Sequence, residues 1–254
     1  MDVIGLVPAG GMASRLGKLP CSKEILPIRD KSGKVTVLSA NLLHYYHLAG
    51  IQEVLFIIRK GKWDIPEYFG DGSDYGMNIG YLMMNLPYGT PFTLDQAFAF
   101  IRGKIVALGF PDILFEPENA FVPLKEKLLS GQADVLLGVV PCPQYLKSDM
   151  IEFDDAGQIK EIVIKQIRPD LKYGWFVALW RPSFTLFMHD YLIRLIRSGS
   201  QGKIIQHDGS LREVFVGDVI LDAMNTGLKV DHLIFEEGYY RDLGTTDELY
   251  KISG

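Results

Sequence analysis

Short apolar runs alternate with helix-period segments along the first half of the chain. Residues 3–7 form a continuous apolar run, the pattern of a strand buried on both faces. Residues 38–49 carry apolar positions at helical spacing, with Ser39 at the N-terminal cap and Gly50 as the C-terminal cap. Strands are predicted at 54–58, 79–83 and 105–108, with a helix at 93–101 capped by Thr93. A helical stretch covers 118–129, Pro123 delaying its regular start. After Gly131 comes a strand at 135–139. Strands alternating with helices predict a mostly parallel sheet covered on both faces.

The texture changes after residue 140. Strands are predicted at 150–153, 159–164 and 174–180, the first two joined by a hairpin turn at Asp154-Asp155-Ala156-Gly157. Helices follow at 183–196 and 211–224, then a strand at 229–235, a short strand around Tyr240 and a last helix from Thr246. No repeat, low-complexity stretch or Gly/Ser linker interrupts the chain, so one α/β domain over 1–254 is expected, with an antiparallel flap in its second half.

Composition narrows the class. Hydrophobic residues make up 48% of the 254 and charged residues 22%, which excludes a disordered or collagen-like chain. No apolar run reaches the roughly 18 residues of a membrane span. The start, MDVIGLVPAGG, does not read as a signal peptide. Cys21 and Cys142 are too few for a disulfide framework, so a cytoplasmic protein with reduced thiols is expected. With 26 basic and 31 acidic residues the net charge is −5, against a role in wrapping nucleic acid but compatible with phosphate ligands.

The candidate chemistry lies in the segment that follows the first strand, Gly5-Leu-Val-Pro-Ala-Gly-Gly-Met-Ala-Ser-Arg-Leu-Gly-Lys-Leu-Pro-Cys-Ser-Lys23. Paired glycines let a ligand approach the backbone and expose N–H donors to an anion. Ser14, Arg15, Lys18 and Lys23 add polar and cationic groups. The segment lies at the carboxyl end of a strand, where open α/β sheets place ligands. It is not a dinucleotide fingerprint, because Ala13 and Leu16 stand where that motif needs glycines, and it lacks the Lys-Ser/Thr ending of a P-loop. A strand-to-helix turn bearing surface cations is the plainer alternative.

The segment resembles the sugar nucleotidyltransferases, whose signature is L-A-G-G-x-G-T-R-L followed by P-x-x-K-x-L-x-P-I. Ala9, Gly10, Gly11, Arg15, Leu16, Pro20, Lys23, Pro27 and Ile28 match it, with small shifts around Leu26. Tyr68-Phe-Gly-Asp-Gly-Ser-Asp-Tyr-Gly76 and Arg241-Asp242-Leu-Gly-Thr-Thr resemble further family segments, so the likeness runs along nearly the whole chain. It implies a Rossmann-like three-layer α/β/α fold. It also implies transfer of a nucleotidyl group from a nucleoside triphosphate, dTTP or UTP, to a sugar-1-phosphate, with release of pyrophosphate. Residues 1–140 would bind mainly the nucleotide and 141–254 mainly the acceptor.

The same resemblance implies roles. Lys23 would hold the α-phosphate and the attacking phosphate, and Arg15 the leaving pyrophosphate. Ala9, Gly10, Gly11 and Ser14 would lie along the nucleotide. Gly89-Thr90 and Thr93-Leu-Asp-Gln96-Ala97 both resemble the segment that recognises a pyrimidine base. Asp112 and Asp242 would hold Mg²⁺, which one or two carboxylates bind together with waters and substrate phosphates. Lys165, Asp149 and Tyr173 would face the acceptor. No nucleic-acid or membrane partner is implied, and self-association is left open.

The chain departs from the pattern at Ala13, where the loop has its third glycine. On the acceptor side, Ile164 and Gln166 flank Lys165 in place of Glu and Pro, Asp149 replaces a glycine, and Tyr173-Gly-Trp-Phe-Val-Ala-Leu-Trp is bulkier than its counterpart. Two alternatives follow: a cytidylyltransferase acting on a non-sugar phosphate such as phosphocholine, and a non-catalytic nucleotide-binding protein of the same fold. Longer relatives carry C-terminal helices of a regulatory site, and the sequence predicts none. His44 and His47 lie three apart on a helix without a third metal ligand in view, and Asp64, Asp71 and Asp74 lack calcium-loop spacing. Trp63, Trp175 and Trp180 read as core or cleft walls.

Overall fold

In the computed structural model, which describes residues 2–11, 16–29, 32–84, 88–142, 148–197 and 213–244, the first apolar run becomes the strand β1 (Val3–Pro8). A hairpin follows, β2 (Pro27–Arg29) and β3 (Val35–Val37), then the helix α1 (Ala40–Leu48), β4 (Glu53–Ile58), α2 (Asp64–Phe69) and β5 (Asn78–Met83). Next come the short helices α3 (Thr90–Asp95) and α4 (Phe98–Ile101), β6 (Ile105–Leu108), β7 (Ile113–Glu116), α5 (Phe121–Ser130) and β8 (Val135–Pro141). The second half contains β9 (Asp149–Phe153), β10 (Ile159–Ile164), β11 (Tyr173–Trp180), α6 (Pro182–Arg197), α7 (Val216–Asn225), β12 (Val230–Ile234) and β13 (Tyr239–Asp242).

Among the described residues, nine strands join in one mixed sheet. β1 pairs in parallel with β4 and β6, and β4 with β5. β11 runs antiparallel to β6, β8 and β9, β9 pairs with β10 as the flap, and β12 lies parallel to β8. Two small antiparallel ladders, β2–β3 and β7–β13, lie outside it.

Two apolar layers cover the sheet. Ile105 and Ala107 of β6 pack with Leu42, Leu43 and Tyr46 of α1 and Leu124 of α5. Val106 and Leu108, alternating with them, pack with Phe92, Phe184, Val219 and Ile220 from the helices on the other face. That alternation on a strand buried on both sides makes the three-layer α/β/α arrangement expected from the sequence. Tyr46 shows how closely the layers fit. Its hydroxyl donates to the carbonyls of Leu6 (3.3 Å) and Ala107 (2.9 Å). A Cβ on Gly5 would come within 2.8 Å of its ring, so glycine is needed at that strand position.

Several boundaries differ from expectation. The helix expected at 93–101 starts instead at Thr90, after Gly89 at φ 120°, and breaks into α3 and α4 around Gln96 and Ala97. A Cβ on Gly89 would lie 2.1 Å from the Val214 carbonyl oxygen, so the chain crossing there dictates the start. α5 begins at Phe121, with Pro123 inside the first turn, where its missing N–H is not needed. Ser39 precedes α1 without capping it; its hydroxyl donates to the Glu24 carbonyl at 2.7 Å instead. The helix expected at 211–224 runs from Val216 to Asn225, with Asp218 accepting from the Phe215 N–H at 2.8 Å. The helix expected from Thr246 lies outside the described residues. The β2–β3 hairpin, α2 and β7 were not foreseen.

Candidate functional site

The parallel strands β1, β4 and β6 end on one edge of the sheet and release three loops: Gly10-Gly11, Arg59-Lys60 and Gly109 to Asp112. Together they wall a cleft of about 710 Å³, which is also lined by Lys23, Met84, Gly89 and Thr90. The volume lies in the usual range for ligand pockets, about 300–1,000 Å³. Arg59 and Lys60 were not singled out from the sequence, although a cation pair directly after a buried strand is a legible signal. Glu213 also lines the cleft.

At this loop side chains close on the glycine backbone. A Cβ on Gly10 would lie 2.2 Å from the Met84 sulfur. One on Gly11 would lie 3.7 Å from the Lys23 Nζ, which puts the lysine amine over the glycine backbone. Ala9 does not face the cleft. It is fully buried, and its N–H donates to the Ile57 carbonyl at 2.9 Å, so the sheet uses it. Ser14 and Arg15 lie outside the described residues. Of the two base-recognition candidates, Gly89, Thr90 and Thr93 line the cleft. Gln96 lies off that lining and donates to the Phe92 carbonyl at 3.4 Å.

A second cavity of about 200 Å³ adjoins the first, the two sharing Thr90, Phe110 and Asp112. Its walls include Ser148, Asp149, Lys165, Trp175, Tyr240 and Asp242. Asp112 stands on the common wall and accepts from the Lys23 ammonium. Burial by itself would pull that ammonium down, but Asp112, with Glu24 and Asp242 adding to it, outweighs burial and holds Lys23 above the usual lysine range.

Asp112 and Asp242 are 130 positions apart, yet the β7–β13 ladder pairs Asp242 with Ile113, and the Leu243 N–H donates to the Asp112 carbonyl at 2.9 Å. A Cβ on Gly244 would lie 2.8 Å from Asp242 Oδ1 and 3.7 Å from Asp112 Oδ2, so the two carboxylates border one small space that glycine leaves open. Two hard oxygen donors facing a phosphate-sized cleft fit a Mg²⁺ ion whose other ligands are water and substrate. Among the described residues no group of three or more His, Cys, Asp or Glu is placed to hold a metal. His44 sits on α1 with its Nε2 3.7 Å from Glu118.

Lys165 adopts φ 47°, in the left-handed region, at the end of β10. That turn brings its Nζ over the Phe215 ring, 4.0 Å from the centroid, at the wall of the smaller cavity. A strained residue of this kind costs about 1–3 kcal/mol and clusters at functional sites. Asp149 is half-buried beside the first turn of α7, where a Cβ on Gly217 would lie 2.7 Å from its Oδ2. Its Oδ1 and the Trp175 Nε1 make no hydrogen bond among the described residues. Burial pushes its carboxyl up to about 6, only partly opposed by Lys165.

The sign of that shift yields a test. A carboxyl raised in the folded state is ionised there at a cost, which grows as pH rises from about 4 to about 6 and is constant above that. Asp149→Asn should therefore stabilise the protein by about 1–3 kcal/mol at pH 8, with the gain shrinking towards pH 4 in urea titrations. A pH-independent difference would refute the shift. Tyr173, expected at the acceptor, does not line the cavity; its hydroxyl donates to the Glu236 carboxylate at 3.1 and 3.2 Å. The one-residue irregularity between Trp175 and Val177 in the β11–β8 ladder shows that simple alternation does not hold along this strand.

No family model matches the chain. It is 25% identical over 256 residues to the low-salt glycan biosynthesis nucleotidyltransferase Agl11 of Haloferax volcanii, covering 96% of this chain and 63% of that protein. It is 31% identical over 180 residues to the glucose-1-phosphate thymidylyltransferase of Mycolicibacterium smegmatis, covering 67% and 58%. The chain thus spans about three fifths of the length of the curated relatives it matches. Among solved structures, a Bacillus anthracis protein described as a glucose-1-phosphate thymidylyltransferase superposes with a TM-score of 0.82 at 17% identity, covering 99% of this chain and 94% of that one. A UDP-glucose pyrophosphorylase complexed with UDP-glucose superposes at 0.76 with 15% identity, covering 100% and 97%. At those identities the structures speak for the fold alone. By sequence and by fold, this chain is a relative of the sugar nucleotidyltransferases.

Proposed function

We propose that the chain transfers a nucleotidyl group from a nucleoside triphosphate, dTTP or UTP, to a sugar-1-phosphate, forming a nucleotide sugar and pyrophosphate. The observation that carries this reading is the Lys23–Asp112 contact on the wall shared by a cation-lined cleft and a smaller acidic and aromatic cavity. Two substrates entering from the two sides would meet at that pair. The names of the relatives support the donor and acceptor classes.

The reaction needs no protein nucleophile, because a phosphate oxygen of the acceptor attacks the α-phosphorus and pyrophosphate leaves with the electron pair. The chain's part is to align two anions and to stabilise charge that grows in the transition state. Gly10 and Gly11 offer close backbone approach to the triphosphate, with Lys23, Arg59 and Lys60 as counter-charges and Gly89 and Thr90 beside the base. Arg15 belongs to the pyrophosphate side of this reading and Ser14 to the nucleotide. Lys165 meets the acceptor phosphate, and Asp149 lies deeper on the acceptor side. Asp112 and Asp242 would hold Mg²⁺, which when bound neutralises phosphate oxygens that the lysines do not reach.

The test is pyrophosphate release over a matrix of nucleoside triphosphates and sugar-1-phosphates, with Mg²⁺ titrated. Asp242→Asn should shift the Mg²⁺ half-saturation upward by about tenfold or more, the cost of losing one of two carboxylate ligands. An unchanged metal titration would move the ion away from Asp242. An empty matrix from folded protein that binds a triphosphate would overturn the transfer itself. Among the described residues no helix is long and apolar enough to cross a membrane.

A further inference from the structure

Lys23 is carried on a single 3-10 turn, Lys23–Ile25, whose backbone is tied to the start of α1 where the Ser39 N–H and hydroxyl donate to the Glu24 carbonyl at 2.9 and 2.7 Å. Its two neighbours are gripped by one short segment that follows β4. The Ser22 N–H and hydroxyl both donate to the Asp64 carboxylate, at 2.7 Å each, one oxygen apiece. Glu24 is fully buried, and the Lys62 ammonium donates to both of its carboxylate oxygens at 2.7 Å. The residues just before these two, Arg59 and Lys60, line the large cleft. One six-residue segment thus presents cations to the cleft and holds the turn that carries Lys23.

We propose that Asp64 and Lys62 are positioning residues for Lys23. They touch neither cavity; they act by holding the residues before and after Lys23, so that its amine stays over Gly11 and against Asp112. A flexible four-carbon lysine on a turn held only through its backbone carbonyls would sample more placements, and a misplacement of about 1 Å can cost on the order of 100-fold in rate. The inference rests on the assignment of Lys23 to the transfer reaction.

Removing Lys62 leaves Glu24 buried without its hydrogen-bonded partner and costs stability as well as placement, so Asp64 carries the test. Asp64→Ala is expected to lower kcat between about 10- and 100-fold, with KM for the triphosphate changed by less than about threefold. Asp64→Asn, which keeps one acceptor oxygen for Ser22, should recover most of the rate. The deciding measurement is the same change in a Lys23→Ala background. A residue that acts only through Lys23 has nothing left to position there, so Asp64→Ala should lower the residual turnover by less than about twofold. An equal fractional loss in both backgrounds, or wild-type kcat in Asp64→Ala, overturns the proposal. Wild-type turnover in Lys23→Ala itself overturns the assignment of Lys23, and is read separately from the Asp64 result.

Discussion

Replacing Lys23 by alanine is expected to lower turnover by about 10²–10³ or more while the protein stays folded. The lysine side chain is 15% exposed and bonded to Asp112, so its loss removes a pre-aimed charge and leaves the Asp112 carboxylate without its partner. The charge belongs where two anions are brought together, and a donor fixed in advance acts most strongly there because it does not reorganise during the reaction. Lys23→Arg should not restore the rate, since a planar fork on a longer arm does not reproduce a point charge over Gly11. Pyrophosphate release at saturating substrates, read beside circular dichroism, checks the prediction. Turnover within tenfold of wild type would remove Lys23 from the mechanism.

The second large effect concerns stability. Lys62→Met should destabilise the protein by about 3–5 kcal/mol, because Glu24 is then a buried carboxylate without its hydrogen-bonded counter-charge, Lys23 acting on it only at longer range. Burial pushes the Glu24 carboxyl up and the Lys62 ammonium down, and the two-oxygen contact between them opposes both shifts. The double change Glu24→Leu with Lys62→Met should recover most of the loss, since an apolar pair of similar volume needs no desolvation of charge. Urea unfolding of the wild type and the two variants gives the comparison. A loss below about 1 kcal/mol in the single variant would mean that the pair is solvated.

The strand order and much of the site could be read in the residues because their signals are local. The apolar runs at β1, β4 and β6 keep both faces buried, and the helix period at α1 and α6 marks a single buried face. Gly10-Gly11 followed by Lys23 is a local pattern as well, and both glycines line the cleft. Lys62 and Glu24 offered no such signal. They are 38 positions apart, Glu24 falls on an unspecified position of the signature, and Lys62 lies outside it. The start of α3 was set by the crossing chain at Val214, which sequence pattern alone does not show. Tyr173 was placed by a likeness of strand sequence, whereas the path of β11 turns it to Glu236.

What the amino-acid order determined by itself is the alternation of elements, the buried faces and the glycine loop at a strand end, since each depends on side-chain period or on backbone freedom over a few residues. Tertiary structure decided which distant groups meet. Asp112 and Asp242 border one space because a two-stranded ladder registers Asp242 against Ile113, and Lys23 points where it does because Asp64 and Lys62 clamp its turn. Such convergence depends on loop closure and packing summed over the whole chain, and those terms have no short-range period to read.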